Sequence, residues 1–232
     1  MKKNVIRNSI KTFVNNQRYL YLLKVKIQHI INSFKKPISG NNNLIQNRGV
    51  FFKVKFDIIG NNNTIKIGKK TKLYNTTIFI RGDNHILIID EDCIIKGGSF
   101  WFEDSFCKIH IGKETTIESA DFAVTENEST ILIGADCMFS DEIVLRTGDS
   151  HAIIDQSKNI KINNAQDIII GNHVWIGSRS TILKGVVIGD NTVIGTGSIV
   201  TKSVLCNTVS VGIPARMIKS NVGWSRNRFH ND

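Results

Sequence analysis

The chain has 232 residues, 41% of them apolar, and carries a formal charge of +10 at pH 7. That length suits one domain, or one domain with an appendage, and the apolar share is enough for a core. The charge is unevenly placed: residues 1–56 hold twelve Lys or Arg and no acid, while the rest holds 18 basic and 20 acidic residues, a net of −2. The basic character therefore belongs to an arm, which has none of the usual nucleic-acid motifs, so no nucleic-acid partner is expected.

The arm comes first in the chain, over residues 1–40. Ile6, Ile10 and Phe13, then Leu20, Leu23, Ile27, Ile30 and Phe34, step mostly by three or four with lysines and arginines between them. That spacing predicts a basic amphipathic helical arm. Its longest apolar run, Tyr19 to Leu23, is too short to span a bilayer, and it lacks the apolar stretch and cleavage site of a signal peptide. Two readings stay open. The arm rests peripherally on an anionic membrane surface, the inner face of the cytoplasmic membrane, or it packs on the rest of the chain or on neighbouring subunits. Cys93, Cys107, Cys137 and Cys206 form no C-x-x-C pair; they read as reduced thiols of a cytoplasmic protein, with no metal role.

Residues 41–219 form a second region, organised by repeats. Ile67, Ile89, Ile111 and Ile133 are spaced by 22, in short alternating runs such as Ile65-Lys66-Ile67 and Ile109-His110-Ile111. A period in the twenties marks a solenoid, where each repeat buries its apolar side only by stacking on the next. The runs are short strands between Gly, Asn and Asp turns. From residue 170 the period tightens to six: Ile170, Ile176, Ile182, Ile188, Ile194 and Val200 recur, with Val174, Ser180, Val186, Thr192, Ser198 and Val204 four places after each. So many interior glycines exclude a helix, since each costs about 1 kcal/mol there. A three-sided parallel β-coil fits, with three hexads to a coil of 18 residues and about four extra residues in each 22-residue coil. Residues 220–232 are read as a tail.

Within this region Gly-Asp-x-His occurs twice, at 82–85 and 148–151, three 22-residue steps apart. On that grid Asn63, His85, Cys107, Ser129 and His151 share a column, and spacing alone does not choose between the two histidines. Position does: His151 adjoins the regular coils, and His85 lies three coils lower. His110, His173 and His230 show no pairing in the sequence that suggests chemistry.

The stretch IGNHVWIGSRSTILKGVVIGDNTVIGTGSIVTKSV, followed by VGIPARMIK, resembles the hexapeptide-repeat acyltransferases, which include galactoside and maltose acetyltransferases and capsule or O-antigen polysaccharide O-acetyltransferases. The looser coils carry the resemblance from about residue 57 to 219. It implies an all-β solenoid, a left-handed parallel β-helix, assembled as a homotrimer. In that family a histidine after such a turn precedes V-W-I-G by about two dozen residues; His151 stands in this relation to Val174-Trp175-Ile176-Gly177, so the resemblance implies a catalytic base at His151 and leaves His85 as an idle copy.

The chemistry explains the need for a base. A sugar hydroxyl is a weak nucleophile, and an imidazole, which titrates near 6.5 when unperturbed, can accept its proton as the bond to a thioester carbonyl forms. No Ser or Cys stands in a nucleophile motif, so direct transfer is expected. Asp149, two residues from His151, is a candidate to orient its ring; Asp141, Glu142 or a backbone carbonyl would also serve. The resemblance places acetyl-CoA in a groove between subunits along the last coils, at Trp175, Gly177, Ser178, Thr196, Thr201, Lys202, Arg216 and Lys219, with Lys184 nearby. Lysine and arginine there suit the phosphates of CoA, and Trp175 can wall the site, packing on a thioester or a sugar face; a coil-corner aromatic in the trimer contact is its other reading.

The expected function is an acetyl-CoA-dependent O-acetyltransferase acting on a surface polysaccharide or a sugar precursor. Three alternatives are an N-acetyltransferase of an amino-sugar nucleotide, a non-catalytic trimeric scaffold binding glycans or membranes, and a γ-class carbonic anhydrase, which needs a pair of histidines five apart that is missing here.

Overall fold

The computed structural model describes residues 38–227; the arm expected over residues 1–40 lies almost wholly outside them. Among the described residues there is no helix. The chain winds as a three-sided parallel β-helix. Faces I and III are sheets of seven strands and face II a sheet of nine. In each full coil the chain visits face I, then II, then III.

The two sequence periods appear directly as strand register. Ile67, Ile89, Ile111 and Ile133 pair in succession across face I at 22-residue steps. Ile170 pairs with Ile188, Ile176 with Ile194 and Ile182 with Val200 at 18-residue steps, one on each face. All of these point inward and are buried. Val174, Ser180, Val186, Thr192 and Ser198 fill the corners, fully buried, where small or β-branched side chains are all that fit. The corner hydroxyls have acceptors: Ser180 Oγ donates to Gly195 O at 3.1 Å, Thr192 Oγ1 to Leu205 O at 2.9 Å and Ser198 Oγ to Gly195 O at 2.6 Å.

The extra residues of the longer coils fall on face III and the corner after it. In the 22-residue coil the step from Ile117 on face II to Phe122 on face III is five residues, and the step from Phe122 to Ile133 on face I is eleven. The corresponding steps in the 18-residue coil, Ile176 to Ile182 to Ile188, are six and six. Face III strands are accordingly long in the early coils, as in Thr76–Arg81 and Gly98–Phe102, and only two residues long at Thr181–Ile182 and Ile199–Val200. The lower part of the helix is wider than the upper part.

The corner between faces III and I holds the buried column expected from the 22-residue grid, but not with His151 in it. The His85 N–H donates to Asn63 Oδ1 at 2.9 Å, the Cys107 N–H donates to His85 Nδ1 at 3.2 Å, and Ser129 Oγ contacts Cys107 Sγ at 3.7 Å. Above Ser129 the column continues with buried Thr147, whose Oγ1 donates to Ser129 Oγ at 3.0 Å, while the ladder pairing of Ile131 with Ile168 gives exposed Gln166 the equivalent register position. Two events displace His151. The turn after Phe139 is one residue longer, so Ala120 pairs with Ile143 at a step of 23. A long excursion then separates Leu145 on face III from Ile170 on face I. The two Gly-Asp-x-His segments differ for the same reason. Gly82 has a φ of +127° and abuts the Asp104 carbonyl so closely that a Cβ would lie 1.7 Å from its oxygen, whereas Gly148 has no left-handed φ and faces Thr125.

His85 is thus a structural group. It is buried, and desolvation depresses its pKa against the opposing pull of the Arg81 and Asp104 carbonyls. Its Nε2 has no hydrogen-bond partner among the described residues. The folded state prefers the neutral ring, so the unfolded chain binds the extra proton as pH falls below about 6.5, and stability is lost in that direction. This group alone sets a limit of about 1.4 kcal/mol per pH unit. Unfolding free energy measured by denaturant between pH 7.5 and 5 is expected to fall with acid, and His85→Asn, whose Oδ1 can replace Nδ1 as acceptor for Cys107, is expected to flatten that dependence.

Candidate active site

The excursion over residues 147–167 is built by side-chain anchors more than by regular structure. A short antiparallel pair, Ile154–Asp155 with Ile160–Lys161, forms its tip. Asp155 turns the chain there, accepting from Ser157 N–H at 2.9 Å and Ser157 Oγ at 2.6 Å. Asn163, itself buried, clamps the base: Nδ2 donates to Asp149 Oδ2 and to the His151 carbonyl, both at 2.8 Å, and Oδ1 accepts the Ile153 N–H at 2.7 Å. Lys184, from the coil above, donates to Asp149 Oδ2 at 2.5 Å and to Asn163 O at 2.8 Å.

These contacts hold the backbone on both sides of His151 and leave its ring exposed. Among the described residues no side chain hydrogen-bonds the imidazole. Asp149, expected as an orienting partner, is instead committed to Lys184 and Asn163; those two hydrogen bonds hold its carboxyl below the usual carboxylate range. Lys184, expected near the donor groove, is the other half of that pair.

The excursion folds down over the wide early coils and closes one side of an open cleft of about 650 Å³. Ser150, His151, Ala152 and Lys161 form the excursion side, and Arg81, Glu103, Asp104, Thr125 and Glu126 the opposite side, along the corner between faces III and I. Lys161 Nζ meets Glu126 Oε2 at 2.5 Å, and this bond keeps the Glu126 carboxyl ionised to lower pH than usual. Arg81 and Glu103 stand 22 residues apart on neighbouring rungs but belong to no catalytic motif, and sequence reasoning missed them together with Lys161; Asn163, in Ile162-Asn163-Asn164, was equally silent.

The other expected residues fall in two places. Thr201 and Lys202 stand on the same corner as His151, with Lys202 in register above Lys184 and Lys184 above Thr147. Gly177, Ser178 and Thr196 lie on the next corner round, between faces II and III, where Ser178 Oγ donates to Asp141 Oδ1. Trp175, 37% exposed, lies on face II, and Arg216 and Lys219 lie on the antiparallel strand Ala215–Ser220 that closes the same sheet. A corner of a three-sided coil faces away from the third side, so His151 and Trp175 lie on opposite sides of one chain.

Two histidines without an expected role have partners. His110 Nε2 meets Asp90 Oδ2 at 2.9 Å. His173 Nδ1 meets Asp136 Oδ2 at 2.6 Å, and its ring stacks on Trp224 with centroids 4.1 Å apart. Arg226 bonds Asp136 Oδ1 at 2.9 Å and the Cys137 carbonyl at 2.9 Å. Desolvation would raise the Asp136 pKa, but the bonds from His173 and Arg226 outweigh it and hold the carboxyl low. The expected tail therefore straps down over face II, with Trp224 at 6.0 Å from Trp175. The partners of both histidines stand one coil away, at separations of 20 and 37 residues, which local sequence does not show.

Comparison with known proteins fits this architecture. Residues 167–202 match the family model "Bacterial transferase hexapeptide (six repeats)". A polysialic acid O-acetyltransferase of Neisseria meningitidis is 39% identical over 175 residues, 75% of this chain and 80% of that one. The chain belongs to the hexapeptide-repeat acyltransferases. The polySia-specific acetyltransferase NeuO superposes on this acyltransferase with a TM-score of 0.76, at 36% identity over 84% of this chain and 90% of that one. The polysialic acid O-acetyltransferase OatWY superposes with a TM-score of 0.79, at 34% identity over 84% and 92% of the two chains. The likeness spans the wide early coils as well as the hexad coils.

The Lys184–Asp149 pair is the link between the excursion and the upper coils. In Lys184→Met, hydrogen exchange across residues 148–163 is expected to rise about tenfold or more, because local opening loses its main charged anchor. The β-helix core should keep its protection, since none of its ladder bonds involves this side chain.

Proposed function

We propose that this acyltransferase moves an acetyl group from acetyl-CoA to a hydroxyl of an acidic surface polysaccharide, with His151 as the general base. The observation that carries the reading is the His151 ring itself: uncommitted, exposed at the edge of a cleft, and mounted on a backbone that Asn163 and Lys184 hold from behind. A base must be free to take a proton yet fixed in place, and this arrangement meets both needs. The names of the relatives support the acceptor class, and we take polysialic acid as the first acceptor to test.

The reaction needs no covalent enzyme intermediate. The acceptor hydroxyl oxygen attacks the thioester carbonyl carbon while its proton passes to the neutral imidazole. The tetrahedral oxyanion then collapses, the C–S bond breaks, and the CoA thiolate takes up the proton from the imidazolium. A backbone N–H in a coil turn is the natural donor to the oxyanion.

The donor groove is an intersubunit one. Trp175, Gly177, Ser178, Thr196, Arg216 and Lys219 lie away from the His151 corner of the same chain, while Thr201 and Lys202 lie on it. In a homotrimer the corner of one subunit faces the side of the next, so CoA would run between them, with His151 supplied by one copy and Trp175 by its neighbour. Lys202, Arg216 and Lys219 are exposed and suit the phosphates of CoA.

His151→Ala is expected to lower kcat/KM for acetyl transfer about 10²- to 10⁴-fold, the usual range for a general base. Acetyl-CoA affinity by calorimetry and the sedimentation coefficient should stay as in the parent. Undiminished transfer by this variant would end the mechanism.

A further inference from the structure

Face III carries on its outer side a row of residues that the reaction above does not use. Asp57, Phe79, Trp101, Ala123 and Arg146 lie in register on successive rungs. Phe79 and Trp101 stack with centroids 3.8 Å apart and planes 20° from parallel. The Arg81 guanidinium lies 3.9 Å from the centre of the Phe79 ring, and its Nη2 bonds Asp57 Oδ1 at 2.9 Å, one rung down. The stack is thus braced from below. The far face of the indole looks to the next rung up, where Ala123 offers only a methyl group. Among the described residues no second ring or guanidinium lies over that face.

The result is a slot with Trp101 as its floor, Ala123 at its back and the exposed Arg146 as its far wall. Trp101 and Arg146 are two rungs apart, about 9–10 Å at ordinary strand spacing. The indole is not needed by the core, which Ile78, Ile80, Phe100, Phe102 and Phe122 already fill from the inner side of the same strands. It remains 38% exposed. A flat apolar ring held rigidly at the surface, with a guanidinium opposite, matches a pyranose of an acidic sugar: its C–H face packs on indole, and its carboxylate accepts a forked pair of hydrogen bonds from arginine.

The slot also adjoins the cleft. Arg81 both braces Phe79 and lines the cleft, and Glu103, two residues beyond Trp101, lines it as well. Arg146 Nη2 reaches Ser150 Oγ at 3.4 Å, next to His151.

We propose that the slot between Trp101 and Arg146 is a carbohydrate subsite, which seats one acidic sugar unit of the acceptor chain beside the unit presented to His151. This rests on the polysaccharide O-acetyltransferase reading. It makes Trp101 a positioning residue for a polymer and predicts a dependence on acceptor length.

The test uses the full chain, acetyl-CoA, and either polysialic acid or free sialic acid as acceptor. Trp101→Ala is expected to raise KM for polysialic acid about tenfold, with kcat at saturating polymer and KM for acetyl-CoA unchanged. Ala123→Phe, which fills the slot while keeping Trp101, should give the same rise, and Trp101→Phe should recover most of the affinity. With free sialic acid, too short to reach the slot and the cleft together, all three variants should match the parent. If the parent acetylates polysialic acid and both slot variants keep its KM, the subsite is wrong and the function stands. If the parent transfers nothing to polysialic acid, the acceptor reading fails and takes the subsite with it. If either variant changes the oligomeric state in sedimentation velocity, the stack is a contact between copies of this chain and the proposal is overturned.

Discussion

Every feature of this molecule depends on one constraint: a coil cannot satisfy itself. Its strands are two to six residues long, and their N–H and C=O groups find partners only on the coils above and below. The inward aliphatics are in the same position, since Ile111 is covered by Ile89 and Ile133 rather than by anything in its own coil. Register is therefore not negotiable. A slip of one residue would turn the inward file outward along a whole face, and the burial of every residue in the file from Ile67 to Ile188 is at stake together.

That constraint dictates where variation can enter. A residue added within a strand breaks two ladders, whereas residues added at a corner break none. The one-residue lengthening before Ile143 and the long excursion before Ile168 both occur at corners, and the pairing resumes beyond each. The candidate site lies on the excursion, at the corner between faces III and I. Its anchors are of a different kind from those of the coils: Asn163, Asp149 and Lys184 hold the excursion by side-chain hydrogen bonds, because its backbone has no neighbouring rung to pair with.

The fold was legible in the sequence because spacing is what the constraint controls. Steps of 22 and 18 residues translate one for one into paired isoleucines. The same arithmetic misplaced His151. The grid put it above Ser129, but a one-residue slip and an excursion of unknown length intervene, and neither leaves a periodic trace. His151 was singled out as the candidate base by its distance to Trp175-Ile176-Gly177, a resemblance rather than a count. Asn163, Arg81 and Lys161 were invisible because the bonds that define them, from Asn163 to Ile153, His151 and Asp149, from Arg81 to Asp57 and from Lys161 to Glu126, span 10 to 35 residues, at separations the grid does not supply. Phe79 and Trp101 are the instructive exception. They stand 22 apart and were readable as stacked neighbours, yet a pair of aromatics on a strand draws no notice until one sees that both point away from the core.

The change in coil length along the axis gives the molecule two surfaces of different shape. The 18-residue coils are narrow, regular and nearly featureless on face III, where each strand is two residues long. The 22-residue coils add their extra residues to that face and its corner, which makes a broader surface bearing Phe79, Trp101, Arg81 and Glu103. Joining a wide stack to a narrow one produces a ledge, and the excursion with His151 covers it. A transfer reaction needs two substrates to meet at one base. On the function proposed above, an extended polymer suits the broad surface and a slender thioester arm suits the regular coils, which places the proposed base at the junction. The step in coil length is thus the structural cause of the candidate site's position, and His151 stands where the count changes.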